Sequence, residues 1–268
     1  MGWPLIMNLL DRLNDAKSTE TFFEAIGEFL CSEDIDRDKL PSLLAELHNE
    51  GKIDLVHEFS QLRRSVSPNV DFFSIRMIFE GALPKLKHPV RPVMECVIHL
   101  VSEAGADMAA GFVFNSYVEY CKADKRRAKE ALQEIELSGF SMLDILCSTI
   151  IAGADGDFDY FVDRAIQLLE HPKPEVRRRS VYALGRVFCE AQDERFQLAL
   201  SSVIELSNRE ADDQVLASVV STIFLLFHQT VNYSTFHCPV PLHLQLSLLF
   251  VELRLILLGT MKPHPMLE

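Results

Sequence analysis

The sequence predicts an all-α protein built as an α-solenoid, a stack of antiparallel helical hairpins. Three observations carry this. Residues 158–188, FDYFVDRAIQLLEHPKPEVRRRSVYALGRVF, hold two amphipathic segments around a proline-rich break: Phe158, Phe161, Ile166, Leu168 and Leu169 form one apolar face. Val176, Ser180, Val181, Ala183, Leu184 and Val187 form the second. One hairpin cannot cover both faces, so like units must stack on it. Finally, 11 Gly and 12 Pro in 268 residues are few, while Leu, Ala, Glu and Ser abound, which favours helices over strands joined by glycine-rich turns.

The first third reads as short amphipathic helices over 3–15, 19–31, 38–50, 52–65 and 70–83. Ser18 and Thr19 are N-cap candidates for the second, which places Phe22, Phe23, Ile26, Phe29 and Leu30 at helical spacing. Gly51 separates Leu43, Leu44 and Leu47 from Ile53, Leu55, Val56 and Phe59, and the SPN at 67–69 makes the next break. Repetition then emerges. HPVRPVMECVIHL at 88–100 opens like HPKPEVRRRSVYAL at 171–184. Residues 123–132 share a basic helix start and an Ala-Leu pair, and DDQVLASVVSTIFLLF at 212–227 puts Val215 where Val176 stands. A further helix, 140–152, and the loop GADGD precede the best copy. The expected organisation is one helical repeat domain over 1–268: divergent helices to 83, repeats over 84–230, then a loop and an apolar helix over 231–268.

The segment PEVRRRSVYALG resembles the HEAT-repeat (armadillo-like) signature, with Ser180 in place of an alanine. The resemblance is close over 158–188 and weaker over 88–227. It implies a right-handed superhelix with a curved inner surface, and core roles for the Val and Ala-Leu positions. It also implies a structural role for Arg177, paired with an acidic residue of the adjacent repeat, for which Asp212 and Asp213 are the candidates. The function expected of such a chain is a non-catalytic scaffold or adaptor that binds a protein or peptide partner.

A formal charge of −13 opposes general nucleic-acid binding, which needs clustered Lys and Arg. It weighs against the alternative of a HEAT-like DNA glycosylase or other nucleic-acid-processing enzyme, as does the position of Trp3, the single tryptophan, far from the basic residues. Those residues, Lys125, Arg126, Arg127, Arg178 and Arg179, occupy equivalent helix starts, and stacking would align them as a basic stripe for an acidic ligand. Solvated side chains are the plainer reading of the same pattern. Cys31, Cys96, Cys121, Cys147, Cys189 and Cys238 are widely spaced without a CxxC, as small buried residues in a reducing, cytoplasmic compartment would be. The N-terminus lacks a basic region and a cleavage site, which disfavours secretion.

No catalytic residue, cofactor or metal site is expected. DGDFD at 155–159 starts like an EF-hand, but Tyr160 and Ile166 replace its glycine and glutamate, and Asp157 reads better as an N-cap. His228, His237, Cys238 and His243 have zinc-binding side chains without the spacing of a structural site. LQLSLLFVELRLILL at 244–258 is too short and too interrupted by Glu252 and Arg254 for a membrane span, yet apolar on two faces. A terminal repeat needs a polar outer face. That helix is therefore expected to meet a second copy of the chain, a further domain of a larger assembly, a membrane surface, or the rest of its own fold.

Overall fold

In the computed structural model, the structure describes residues 10–13, 15–16, 18–31, 37–65, 71–107, 111–187 and 194–234, and every regular element among them is a helix. The α-helices, after a turn at 10–13, are α1 (Thr19–Cys31), α2 (Leu40–Asn49), α3 (Leu55–Phe59), α4 (Phe72–Ala82), α5 (Val90–Ala104) and α6 (Phe112–Lys122). They continue as α7 (Lys125–Leu137), α8 (Leu146–Gly156), α9 (Phe158–Leu168), α10 (Pro174–Leu184), α11 (Glu194–Arg209) and α12 (Asp213–Ser234). Among the described residues, no helix is long and apolar enough to cross a membrane. The apolar segment 244–258 and residues His237, Cys238 and His243 lie outside the described residues.

The chain forms two compact units, Met1–Ala165 and Ile166–Glu268, whose junction falls inside the hairpin that carries the clearest repeat signal. In the first unit, packing follows chain order: α2 lies against α4, α3 against α5, α4 against α6, α5 against α7 and α6 against α8. In the second, α12 packs on both α10 and α11.

Local chemistry sets the helix limits. Ser18 caps α1: its hydroxyl accepts from Thr21 N at 3.3 Å, while Thr21 Oγ1 accepts from Ser18 N at 3.2 Å, a reciprocal capping arrangement. α2 ends in a Schellman turn. Gly51 N donates to His48 O at 2.9 Å and Lys52 N to Leu47 O at 3.0 Å, which requires the left-handed φ of +72° that glycine adopts freely. The helix expected over 52–65 is far shorter, Leu55–Phe59. Beyond it the backbone is bound from outside: His99 Nε2 lies 2.7 Å from Leu62 O, and the Glu103 carboxylate accepts from Arg64 N at 3.0 Å. α5 therefore holds this stretch in turns.

The core of the first unit includes an aromatic column in which Phe59 meets Phe23 edge-on at 5.0 Å and stacks on Phe79 at 4.7 Å. Arg76 is buried among apolar side chains, 2.8 Å from Glu80 and over the Phe73 ring at 5.2 Å. In 158–188, Phe161, Leu168, Leu169 and the α10 face are buried as expected, but Phe158 and Ile166 are only partly covered; Val162 and Ala165 take the interior places. Ser180, where the repeat signature has alanine, is buried with its hydroxyl satisfied, donating to Val176 O at 2.9 Å.

Candidate functional site

The densest constellation of polar side chains surrounds the short segment 85–89 that leads into α5. Four of its backbone groups have side-chain partners. Asn49, at the end of α2, donates to Lys85 O at 2.9 Å and accepts from Lys87 N at 2.7 Å. Arg127 of α7 donates to Leu86 O at 2.9 Å and Tyr120 O at 2.8 Å, with its guanidinium 4.0 Å above the Tyr120 ring. Tyr120 of α6 donates its phenol hydrogen to His88 O at 2.6 Å. Three helices thus converge on five residues.

The same segment brings His88 against His48, which occupies a buried position on the α2 face with Leu40, Leu44 and Leu47. Hydrogen bonding fixes the proton positions. Leu55 N donates to His48 Nδ1 at 3.1 Å, so that nitrogen carries no hydrogen and the proton sits on Nε2. Nε2 lies 3.1 Å from His88 Nδ1 and donates to it, leaving His88 with its own proton on Nε2. Both rings are neutral in this arrangement. Burial pushes the basicity of each below that of an ordinary imidazole; the second ring lowers His48 further, and Asp54 opposes the shift in both.

His48, Asp54 and His88 place three ligand atoms within 4.8 Å of one another, which is metal-like spacing. The set does not fit a metal in this arrangement, because the lone pair of each imidazole is taken by a hydrogen bond and Asp54 alone makes no site. His48 Nδ1 accepts from Leu55 N, His88 Nδ1 accepts from His48, and Asp54 Oδ1 accepts from His57 N at 3.0 Å as the cap of α3. The constellation is a hydrogen-bonded relay between α2, α3 and the 85–89 segment.

The basic residues singled out by sequence lie in different units, Lys125–Arg127 in the first and Arg178–Arg179 in the second. Arg126 pairs with Asp124, the α7 cap, at 2.7 Å, and its side chain is 81% exposed. Arg127 is turned inward to the contacts just described, so it belongs to the framework. Lys125 runs along Gly156, the exposed Arg126 sits beside it, and Lys129 bonds Asp157 at 2.6 Å. Asp157 is also the expected cap, accepting from Tyr160 N at 3.4 Å. Arg178 donates to Gln214 at 2.5 Å, and Arg179 is half-buried.

Arg177 has the expected tie to an acidic residue, but the partner is Glu210. Its guanidinium makes a two-pronged contact with that carboxylate at 2.7 and 2.8 Å. Asp212 instead caps α12, accepting from Gln214 N at 2.9 Å and Val215 N at 3.0 Å, and Asp213 is the first residue of that helix. The acid that reaches back to Arg177 comes from the turn before the cap.

Nucleophilic side chains in the described core are poorly placed for chemistry. Cys96, Cys121 and Cys147 are buried thiols. Burial raises the Cys96 thiol strongly and pushes Cys121 up to about 12, so neither supplies thiolate near neutrality. In the folded protein these three cysteines are expected to resist a maleimide at pH 7.5 and to react together only on unfolding, as peptide mass spectrometry of labelled samples would read. Comparison with protein-family models, curated proteins and solved structures finds no match for the chain.

Proposed function

We propose that the chain is a non-catalytic interaction scaffold, an α-solenoid of HEAT-like hairpins that offers helix surfaces to a protein or peptide partner. The observation that supports this reading is the span of its polar ties. Asn49 to Lys85 is 36 residues, Arg63 to Glu103 is 40, Arg91 to Glu134 is 43, Arg177 to Glu210 is 33, and Thr222 to Val181 is 41. Such ties recur near one repeat length, as in an array whose units touch only their neighbours. Among the described residues, polar side chains join successive hairpins, and the Cys96 and Cys121 thiols are buried in neutral form. That pattern favours a rigid platform over a reaction centre.

The surface test uses the cations that point outward. Affinity capture with the intact chain, read by mass spectrometry, is expected to return specific partners that Arg126→Glu and Arg178→Glu release. Full retention of every partner by both variants overturns a role for the basic residues. Arg127→Glu does not belong in that comparison, because loss of its bonds to Leu86 O and Tyr120 O would disturb the fold itself. Salt-dependent binding of a labelled DNA duplex would point instead to the nucleic-acid alternative.

A further inference from the structure

We propose that the His48–His88 pair is a proton-operated latch, which fastens the 85–89 segment to α2 when both rings are neutral and loosens it when either ring takes up a proton. The geometry leaves no neutral-like way to hold an extra proton. A hydrogen added to His88 Nδ1 faces the Nε2–H of His48, donor against donor across 3.1 Å. His48 could turn its Nε2 into an acceptor only by moving its own hydrogen to Nδ1, where it meets the Leu55 N–H at 3.1 Å. One of the two bonds must therefore break on protonation.

The surroundings do not rescue the charged form. Asp54 is the anion closest to the pair, 3.9 Å from His48 Nδ1, but its side chain is 56% exposed and its Oδ1 is engaged by His57 N. Lys85 and Lys87 precede His88 in sequence, and Lys85 bonds Ser42 at 2.5 Å. Tyr120 and Arg127 contact the segment through the carbonyls of His88 and Leu86; on α5, Arg91 pairs with Glu95 and Glu134 and the Cys96 thiol is buried. On α4, Arg76 and Glu80 neutralise one another. Asn49, Tyr120 and Arg127 persist as anchors, so the event is local: the tie between the His88 and His48 rings lets go while Asn49 of α2 and the α6–α7 contacts still hold the segment.

Linkage gives the direction. Each ring is a weaker base folded than unfolded, so the unfolded chain binds more protons as pH falls below 6.5. The contribution of the latch is complete above that pH and is lost as pH falls from there toward the lowered folded values. The test is NMR of the isotope-labelled full chain. At pH 7.5 both rings are expected as the Nε2–H tautomer, and both should titrate below pH 6.5. Between pH 7.5 and 5.5 the amide of Leu55 should lose about tenfold in exchange protection after correction for intrinsic rates, with Ile135 as the unaffected reference. His88→Asn keeps an acceptor near the Nδ1 position without a titrating ring, and His48→Gln/His88→Asn removes both rings; the loss should shrink in the first and vanish in the second. An Nδ1–H tautomer on either ring, titration at or above pH 6.5, or protection that ignores pH overturns the proposal. The wild-type measurements decide it even where a variant fails to fold.

Discussion

Arg177→Met is expected to destabilise the Ile166–Glu268 unit by about 2 kcal/mol, the scale of losing charge-assisted hydrogen bonds at a part-buried pair. The Arg177 and Glu210 side chains are 16% and 4% exposed, so removing the guanidinium leaves a half-buried carboxylate without its cation. Arg177 also fastens two corners. It donates to His171 O at 2.8 Å and Pro172 O at 3.0 Å in the break before α10. Glu210 Oε1 in turn accepts from Ala211 N and Asp212 N, each at 3.0 Å, in the turn before α12. Urea unfolding followed by circular dichroism reads the loss. Arg177→Met/Glu210→Leu should recover part of it, since no buried charge then lacks a partner, and simple additivity would mean that the pair is not coupled. Acid gives a second readout. Arg177 holds the Glu210 carboxyl down to about 2, so this contribution is present above the ordinary glutamate value of 4.5 and is lost as pH falls toward 2. The variant should lose less stability than wild type between pH 5 and pH 3.

Arg177 also marks how far sequence carries. The resemblance of PEVRRRSVYALG to a repeat signature was what implied a tie from Arg177 to an acidic residue. The identity of the acid was not legible. Asp212 and Asp213 look better placed in sequence, but an aspartate at a helix start is drawn to the free N–H groups of the first turn, and that leaves Glu210 to reach back. The basic stripe fails to stand out in the same way: charge shows where a side chain starts, and only packing shows that Arg127 folds under toward Leu86. His48 and His88 stand 40 residues apart, and neither belongs to a metal or catalytic spacing. A signal did exist. A histidine on the Leu40–Leu44–Leu47 face must find polar partners in the interior, and the polar His-Pro start at 88 could supply one.

Gly153→Ala is the second change expected to have a large effect, and it tests why the 158–188 face is rotated from the expected one. A Cβ at Gly153 would lie 2.2–2.3 Å from three atoms of the Phe161 ring. The ring cannot easily retreat. Phe161 is 1% exposed, and the corner between α8 and α9 is drawn tight by Asp157 N donating to Gly153 O at 2.8 Å and by the Asp157 cap on Tyr160 N. Alanine favours a helix over glycine by about 1 kcal/mol, whereas forcing a methyl into a filled core costs about 3 kcal/mol, so a net loss of about 2 kcal/mol should appear in urea unfolding. Phe161→Leu alone should also destabilise, by removing part of a buried ring. Combined, the two changes should cost at least about 1 kcal/mol less than their sum, because the smaller side chain leaves room for the methyl. Strict additivity would mean that α8 accommodates the alanine by moving elsewhere, and that the close approach at Gly153 is not what sets Phe161, Val162 and Ala165 as the inward face of α9.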